Sequence, residues 1–424
     1  MVKRADILIV GGGPAGLTAA KVAAEKGLQV ILVEMKKDIP KITRTCAQIF
    51  YLEHIGGGQT YIKPVRVEME SGKKSRLVFP DINFAVEYSG ILRACYDWRN
   101  LSPDGTCVYT ARNKLWGFVF NKEVLLKGLL DEVQSLGVDI LSGTRGLNAR
   151  NTGSGVTVEI KESTGEVRSI EAQHAIIANS VNSRIVENLG LNKSRQSIGG
   201  MTISILGYIM EKVECPYPAS SWISFAYPSL SSFINIWMGP MADGTWQVGT
   251  TDKTPGSPVE IMDRFLCTSH FAPWFKKAKI IHKTACSITP RYPIAEPVVG
   301  NIMIIGDAAA PAETWTQGAM ACGHQAVHAI CEENMAQYAV WWKESFLFNS
   351  PEYYRDLARY PALNVFFNDD ELNYLYGLIK DQVVHNIPDE LLRHTDRIKA
   401  ENPDIYEKLK SIQNISLEDT FKSE

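Results

Sequence analysis

Along this chain the spacing of apolar residues changes period several times, and each change predicts an element. Asp6–Val10 is a short, unbroken apolar run, the pattern of a strand buried on both faces. Gly11–Gly16 interrupts it as a tight turn. Leu17–Lys26 is rich in Ala and Lys, which favours helix, and Gly27 ends it. Leu28–Val33 predicts a second strand that ends at Glu34. Strand, helix and strand in this order predict a parallel sheet covered on both faces.

Residues 60–115 read as an excursion of short strands, turns and aromatics. Val124, Leu125, Leu129 and Val133 keep helical spacing and predict a helix over Lys122–Leu136, closed by Gly137. Val138–Leu141, Gly155–Ile160 and Val167–Ile170 predict strands, and Ala175–Ala178 a separate, buried one. Residues 200–285 are rich in Ile, Trp, Phe, Tyr and Ser with frequent Gly and Pro, which predicts an antiparallel sheet region, a natural roof for a substrate. Asn301–Ile305 predicts a buried strand and about Gly318–Glu333 a helix. The tail from 336 to 424 predicts helices, and no repeat or low-complexity run appears.

Composition narrows the class. The 424 residues are 45% hydrophobic and 21% charged, enough to bury a large core. A net charge of -3 offers no electrostatic reason to expect nucleic acid. The eight cysteines stand singly with no CxxC pair, so a metal site of that kind is not expected. Scattered thiols in a chain of this length point to a reducing, cytoplasmic setting. The Ile7–Val10 run is too short for a signal-peptide core. No stretch reaches the roughly 18–20 apolar residues that span a bilayer, which leaves peripheral membrane contact open.

Two glycine motifs carry the chemistry. Gly11-Gly12-Gly13-Pro14-Ala15-Gly16 is a complete GxGxxG between a strand and a helix. Gly11 permits the sharp turn, Gly13 lets the backbone approach a diphosphate, and Gly16 lets the helix pack on the strand. The helix N-terminus at Pro14 and Ala15 adds free N–H groups and a positive dipole. Glu34, 23 residues after Gly11, sits where a carboxylate receives ribose hydroxyls, with Met35 and Lys36 beside it. An acid there disfavours a 2′-phosphate. By itself this motif does not separate FAD from NAD. The second motif is Ile304-Ile305-Gly306-Asp307-Ala308-Ala309, followed by Trp315-Thr316-Gln317-Gly318-Ala319-Met320. A strand ending in Gly306-Asp307 places a carboxylate beside a polyol such as a ribityl chain. The Gln317–Met320 turn into a helix would aim N–H groups at flavin O2 and raise the reduction potential.

Together the two motifs resemble the flavoprotein superfamily of p-hydroxybenzoate hydroxylase, and within it the geranylgeranyl reductase branch. That branch carries a cysteine soon after the ribose acid, matched here by Arg44-Thr45-Cys46-Ala47. The resemblance covers residues 1–50, 115–190 and 286–335. It implies FAD as cofactor and an α/β (α+β) fold. A Rossmann-type FAD-binding domain would be assembled from 1–60, 115–195 and 286–335. A substrate-binding region of antiparallel sheet would be inserted as 61–114 and 196–285, and 336–424 would form a helical C-terminal region. Two departures stand out. The superfamily's Asp-Gly pair, associated with FAD and NAD(P)H, is replaced by Ala178-Asn179-Ser180-Val181-Asn182-Ser183-Arg184, and an arginine common before the helix at 122 is replaced by Asn121. These departures weigh against direct reduction by NAD(P)H and open a ferredoxin, another flavoprotein or an artificial donor as alternative electron sources. No second GxGxxG supplies a nicotinamide domain.

The resemblance places Cys46 near the reacting centre, as a proton donor opposite a hydride from flavin N5, with Arg44 touching FAD or activating the thiol. A buried structural cysteine explains Cys46 equally well. Glu313, Trp315 and Gln317 lie in the loop after the second motif, where Trp315 either walls an apolar cavity or only shapes the backbone. Tyr292 is a second proton-donor candidate. His324 and His328, four apart on a helix, lack a third ligand and read as a packed pair. Trp222, Phe225, Tyr227, Phe233 and Trp237 are either pocket lining or sheet core. The expected reaction is reduction, or formation, of a C=C bond in an apolar substrate such as a prenyl group. The alternatives are an aromatic monooxygenase, a flavin electron-transfer protein and a prenyl-binding chaperone.

Overall fold

The computed structural model describes residues 4–55, 60–69, 74–231, 236–254, 256–312 and 314–422. Strand β1 (Arg4–Val10), helix α1 (Pro14–Glu25) and strand β2 (Val30–Glu34) form the predicted unit. β1 pairs in parallel with β2 on one side and with Val167–Ile177 on the other, Val10 standing opposite Val33 and Ile177. Asp139–Ser142 extends this sheet beyond β2, and Ile302–Ile304 pairs with Ala175–Ile177. All five strands are parallel here, and the turns that follow them open at their carboxyl ends, where such sheets bind ligands.

The sequence predicts two strands, Val167–Ile170 and Ala175–Ala178, but the structure has one, Val167–Ile177. Its first half pairs antiparallel with Gly155–Lys161, itself paired with Arg145–Thr152. Its second half enters the parallel core. Exposure alternates along the first half and vanishes in the last three residues, the change expected when a strand passes from a half-solvated to a fully covered layer.

The second sheet has seven strands in the order 279–288, 203–211, 246–252, 236–240, 221–225, 97–101 and 107–111. It draws on both segments expected to form the substrate region. It is antiparallel except where Ser221–Phe225 runs parallel to Asp97–Leu101. Within 200–285 the structure also contains a helix, Ser257–Thr268, not expected from the strand-rich composition. Its buried Pro258, Ile261, Met262 and Phe265 are spaced three and four apart, a helical period inside a β-like composition. This helix covers one face of the sheet. Phe225 packs there against Phe265 and Phe271, at 4.8 and 4.7 Å between ring centres, so it is sheet core. Phe233 lies outside the described residues.

The C-terminal helices cover an edge. Tyr109 in the last strand donates its N–H to Gln382 O (2.9 Å) and accepts from Val384 N (2.8 Å), and Val108 and Ala226 share a core with Leu363, Leu372, Tyr376 and Leu391. The tail thus protects an otherwise open strand. His324 is buried against Phe84, 4.6 Å between ring centres, while His328 reaches Glu332 at 3.0 Å. Among the described residues no group of three or more His, Cys, Asp or Glu converges as a metal site.

Phe225→Ala should destabilise the protein by about 3–5 kcal/mol, because the ring leaves a cavity between sheet and helix. Equilibrium denaturation measures this, and a loss under about 1 kcal/mol would show that the interface collapses around the gap. Burial, then the neighbouring His328, lowers the His324 pKa from 6.5 to about 4. The folded state therefore binds fewer protons than the unfolded state in that window. The stability is complete above pH 6.5 and falls as pH drops towards 4. In His324→Phe this part of the acid-side fall in Tm should disappear.

Candidate active site

The first glycine turn is sterically fixed. Gly11 has φ +115°, and a Cβ there would lie 2.3 Å from Ala178 O. A Cβ on Gly16 would lie 1.7 Å from Gly11 O. At Gly13, in contrast, a Cβ would meet nothing within 4 Å, so the space above the turn is open. Gly13 is also the N-cap of α1, Pro14 is its first residue, and no side chain caps the helix. Its first-turn N–H groups therefore face that space. Glu34 is buried beneath the turn, with Gly12 N donating to Oε2 (2.6 Å) and Lys36 N to Oε1 (2.8 Å). Each carboxylate oxygen keeps a further lone pair for a ribose hydroxyl. Met35 beside it is exposed. The Lys36 ammonium turns away to Ile39 O and Lys41 O, and burial lowers its pKa despite Glu34 nearby. Its backbone, which holds Glu34, is the part that serves the site.

The second turn abuts the first. Gly306 has φ +60°, and a Cβ on it would lie 3.3 Å from the Ala15 Cβ. The following helix, Trp315–Cys331, packs along α1 so closely that a Cβ on Gly323 would lie 2.3 Å from Ala15 O. Asp307 Oδ1 accepts from Thr314 N (2.9 Å) and Thr314 Oγ1 (3.0 Å), which folds the loop back on itself. That helix begins at Trp315, three residues earlier than predicted. Its first-turn N–H groups therefore belong to Trp315–Gln317 instead of Gly318–Met320. Gly318 packs on Phe346 and Tyr61, and Ala319 and Met320 are buried. Trp315 has φ +58°, a left-handed backbone that costs about 1–3 kcal/mol for a bulky residue and concentrates at working sites. Glu313 lies outside the described residues.

Between this cleft and the seven-stranded sheet runs a strap, residues 44–48, pinned to several elements. Arg44 Nη1 donates to Ser180 Oγ, in the loop that replaces the Asp-Gly pair. Thr45 and Thr284 hydrogen-bond twice, Thr45 Oγ1 to Thr284 O at 3.0 Å and Thr284 Oγ1 to Thr45 Oγ1 at 3.1 Å, pressing the strap onto Gly207. Cys46 Sγ accepts from Lys122 Nζ at 3.7 Å. Gln48, at φ +53°, accepts from Lys122 N (2.7 Å) and Phe120 N (3.0 Å). The cation expected beside Cys46 was Arg44. The structure sends Arg44 to Ser180 and brings Lys122 instead, 76 residues away in sequence.

Trp315 begins a continuous aromatic wall. It meets Tyr51 edge-on (5.0 Å), Tyr51 meets Trp116 (5.6 Å), and Trp116 meets Trp98 (5.2 Å). Trp98 reaches Trp222 (6.4 Å), which stacks on Trp237 (5.4 Å). The two sheet indoles lie flat because they rest on glycines. A Cβ on Gly239 would be 2.1 Å from Trp222, and one on Gly249 2.0 Å from Trp237. Strand alternation thus divides the expected aromatic cluster, Trp222 and Trp237 joining the wall while Phe225 and Tyr227 pack on the opposite side. Tyr51, Trp98 and Trp116 were missed, because single aromatics in short strands carry no spacing signal. Tyr292 is drawn to a different neighbour, its ring packing on Tyr354 at 4.8 Å, in the seam with helix Pro351–Phe366.

Residues 6–39 match the family described as FAD dependent oxidoreductase, and residues 115–316 the family described as FAD binding domain. Both matched families are FAD-binding, and the protein is an FAD-dependent oxidoreductase. It is 25% identical over 406 residues to a digeranylgeranylglycerophospholipid reductase of Methanothrix thermoacetophila, covering 90% of this chain and 93% of that one. It is also 25% identical over 448 residues to the reductase of that name from Methanospirillum hungatei, covering 99% and 100%. Its fold is shared with a geranylgeranyl bacteriochlorophyll reductase-like protein from Thermoplasma acidophilum, with TM-score 0.68, 20% identity and coverage of 97% and 99%. The p-nitrophenol 4-monooxygenase of Pseudomonas putida has the same architecture at TM-score 0.62 and 14% identity, covering 99% of each chain. The expected superfamily and its geranylgeranyl reductase likeness are borne out.

The residues of this oxidoreductase fit FAD. The unfilled space over Gly13, the uncapped first turn of α1 and the buried Glu34 form a cradle for an adenosine diphosphate, continuous with Gly306 and Asp307 through Ala15. Gly13→Val would place methyl groups in that space without meeting protein atoms. The variant should fold and yet bind FAD at least about tenfold more weakly. Flavin absorbance per mole of purified protein reads this directly, and full flavin retention would show that the diphosphate lies elsewhere.

Proposed function

We propose that this oxidoreductase saturates carbon–carbon double bonds in the prenyl chains of a lipid, working in the cytoplasm with electrons from a ferredoxin or another flavoprotein. The observation that carries the reading is the aromatic cluster from Trp315 to Trp237, against which Ala47, the neighbour of the thiol Cys46, packs. Such a wall accepts an extended apolar chain and offers it few polar groups. The activity named for the methanogen relatives supports the same chemistry. The loop Asn179–Arg184, without an Asp-Gly pair and engaged with Arg44, supports a protein donor over a nicotinamide. Among the described residues no helix is long and apolar enough to cross a membrane, so the lipid would be met at a membrane surface.

FAD, once bound and reduced, supplies the hydride. The chain's own residues do the rest. Gly11, Gly13, Pro14, Ala15 and Gly16 accommodate the diphosphate, and Glu34 with the Met35–Lys36 backbone takes the adenosine ribose. Gly306 and Asp307 hold the ribityl chain, and the Trp315–Gln317 turn directs N–H groups at the ring. Trp315, half-buried at the end of the aromatic cluster, excludes water and aligns the prenyl chain. Cys46 holds the proton that reaches the carbon adjacent to the one receiving hydride.

The test uses dithionite-reduced holoenzyme and a geranylgeranylated glycerophospholipid. The bleached flavin should recolour as the lipid gains two hydrogens per double bond, read by mass spectrometry. Cys46→Ala should keep FAD and lower kcat by about 10²-fold or more. Bleaching by NADPH followed by oxygen-dependent hydroxylation of an aromatic would overturn the assignment.

A further inference from the structure

Lys122 occupies a place that electrostatics disfavours. It is the first residue of helix Lys122–Ser135, where the macrodipole is positive and a cation is unfavourable by about 0.3–1 kcal/mol. The Lys36 ammonium is close enough to disfavour a second charge. Its neighbour Glu123 is turned to Ile42 N at 2.8 Å. The backbone fixes the lysine all the same. Asn121 caps the helix through Glu123 N and Val124 N, and Lys122 N is held by Gln48 Oε1 at 2.7 Å. Gln48 is two residues beyond Cys46, so one hydrogen bond sets the helix start against the strap and places Nζ 3.7 Å from the thiol. A local arrangement that works against its own electrostatics marks a working site when something arrives to reverse the sign. An anion formed on Cys46 would do so.

We propose that Lys122 is the positioning residue and proton partner of Cys46. The inference rests on Cys46 being the proton donor of the reduction. Hydride completes one C–H bond of the former double bond. The Cys46 S–H bond then breaks, its proton forms the second C–H bond, and the electron pair stays on sulfur. The ammonium stabilises that sulfur anion through its N–H···S contact and returns a proton to it. The neutral amine is recharged from water, which the half-buried Lys122 reaches. The two electrons come from the carrier that re-reduces the cofactor, so the cycle closes without a further oxidant or reductant. The charged groups around the pair are Lys36, Arg44 and Glu123, of which Arg44 and Glu123 are engaged elsewhere.

The experiment measures carbamidomethylation of Cys46 in the FAD-loaded protein at neutral pH by peptide mass spectrometry, with exposed Cys267 and Cys331 as internal references. Sulfur reacts as its anion, so Lys122→Met should slow modification of Cys46 about tenfold, leave the reference cysteines unchanged, and be largely rescued in Lys122→Arg. Turnover should show the same order, kcat falling with KM for the lipid unchanged. Lys122→Gln serves as a second neutral variant, with flavin absorbance checking the fold. Equal modification rates in wild type and both neutral variants would overturn the pairing even if Cys46→Ala is inactive. Undiminished turnover in Cys46→Ala would overturn the underlying assignment of the acid, whatever the modification rates show.

Discussion

The structure depends on one close approach, that of the Ala15 side chain in the first glycine turn to Gly306 in the second. Two strand ends must reach the same level for it to form. The hydrogen bonds Gly11 N to Val33 O, Ala178 N to Val10 O and Ile305 N to Ile177 O tie those ends together at 2.8–2.9 Å. Glycine is required where the chains close, since a Cβ on Gly11 or Gly16 would penetrate a neighbouring carbonyl. It is required for a different reason at Gly13, where the space is left empty. Steric exclusion at two positions and vacancy at a third make the cleft both rigid and receptive.

That cleft orders the rest of the molecule outward. The helix that follows the second turn packs on α1, so the start of the helix, with its strained Trp315, is aimed at the mouth of the cleft. The seven-stranded sheet presents glycines towards the same space, and these let Trp222 and Trp237 lie flat and the strap at Thr45 press close. The buried aromatic cluster therefore begins, at Trp315, where the second glycine turn ends.

The thin strap between cradle and roof concentrates the polar chemistry. Five residues carry an arginine, a threonine, a thiol and a glutamine, tied respectively to the loop after the central strand, to the sheet, and to the start of the helix at 122. No single element could orient the thiol alone. Its direction is set by three regions meeting, so a shift in any of them would move the thiol. In the loop after the central strand the side chain of Ser180 anchors Arg44.

The sequence by itself determined the cradle and its surroundings. The GxGxxG turn, the acid that follows it, the Gly306-Asp307 strand end and the strand–helix–strand order are local, and local backbone sterics and hydrogen-bonding period express them directly in residue order. The helix at 257 was not read from the sequence, because its period was masked by β-like composition. Tertiary structure alone decided what stands beside what. It made one strand of Val167–Ile177, because pairing partners change along its length, and moved the first helix turn to Trp315–Gln317. It divided the aromatics between two faces of a sheet, sent Tyr292 to Tyr354, and gave Cys46 a lysine instead of its neighbour Arg44. Those outcomes depend on distances between residues far apart in the chain, which are fixed only when separate layers pack together.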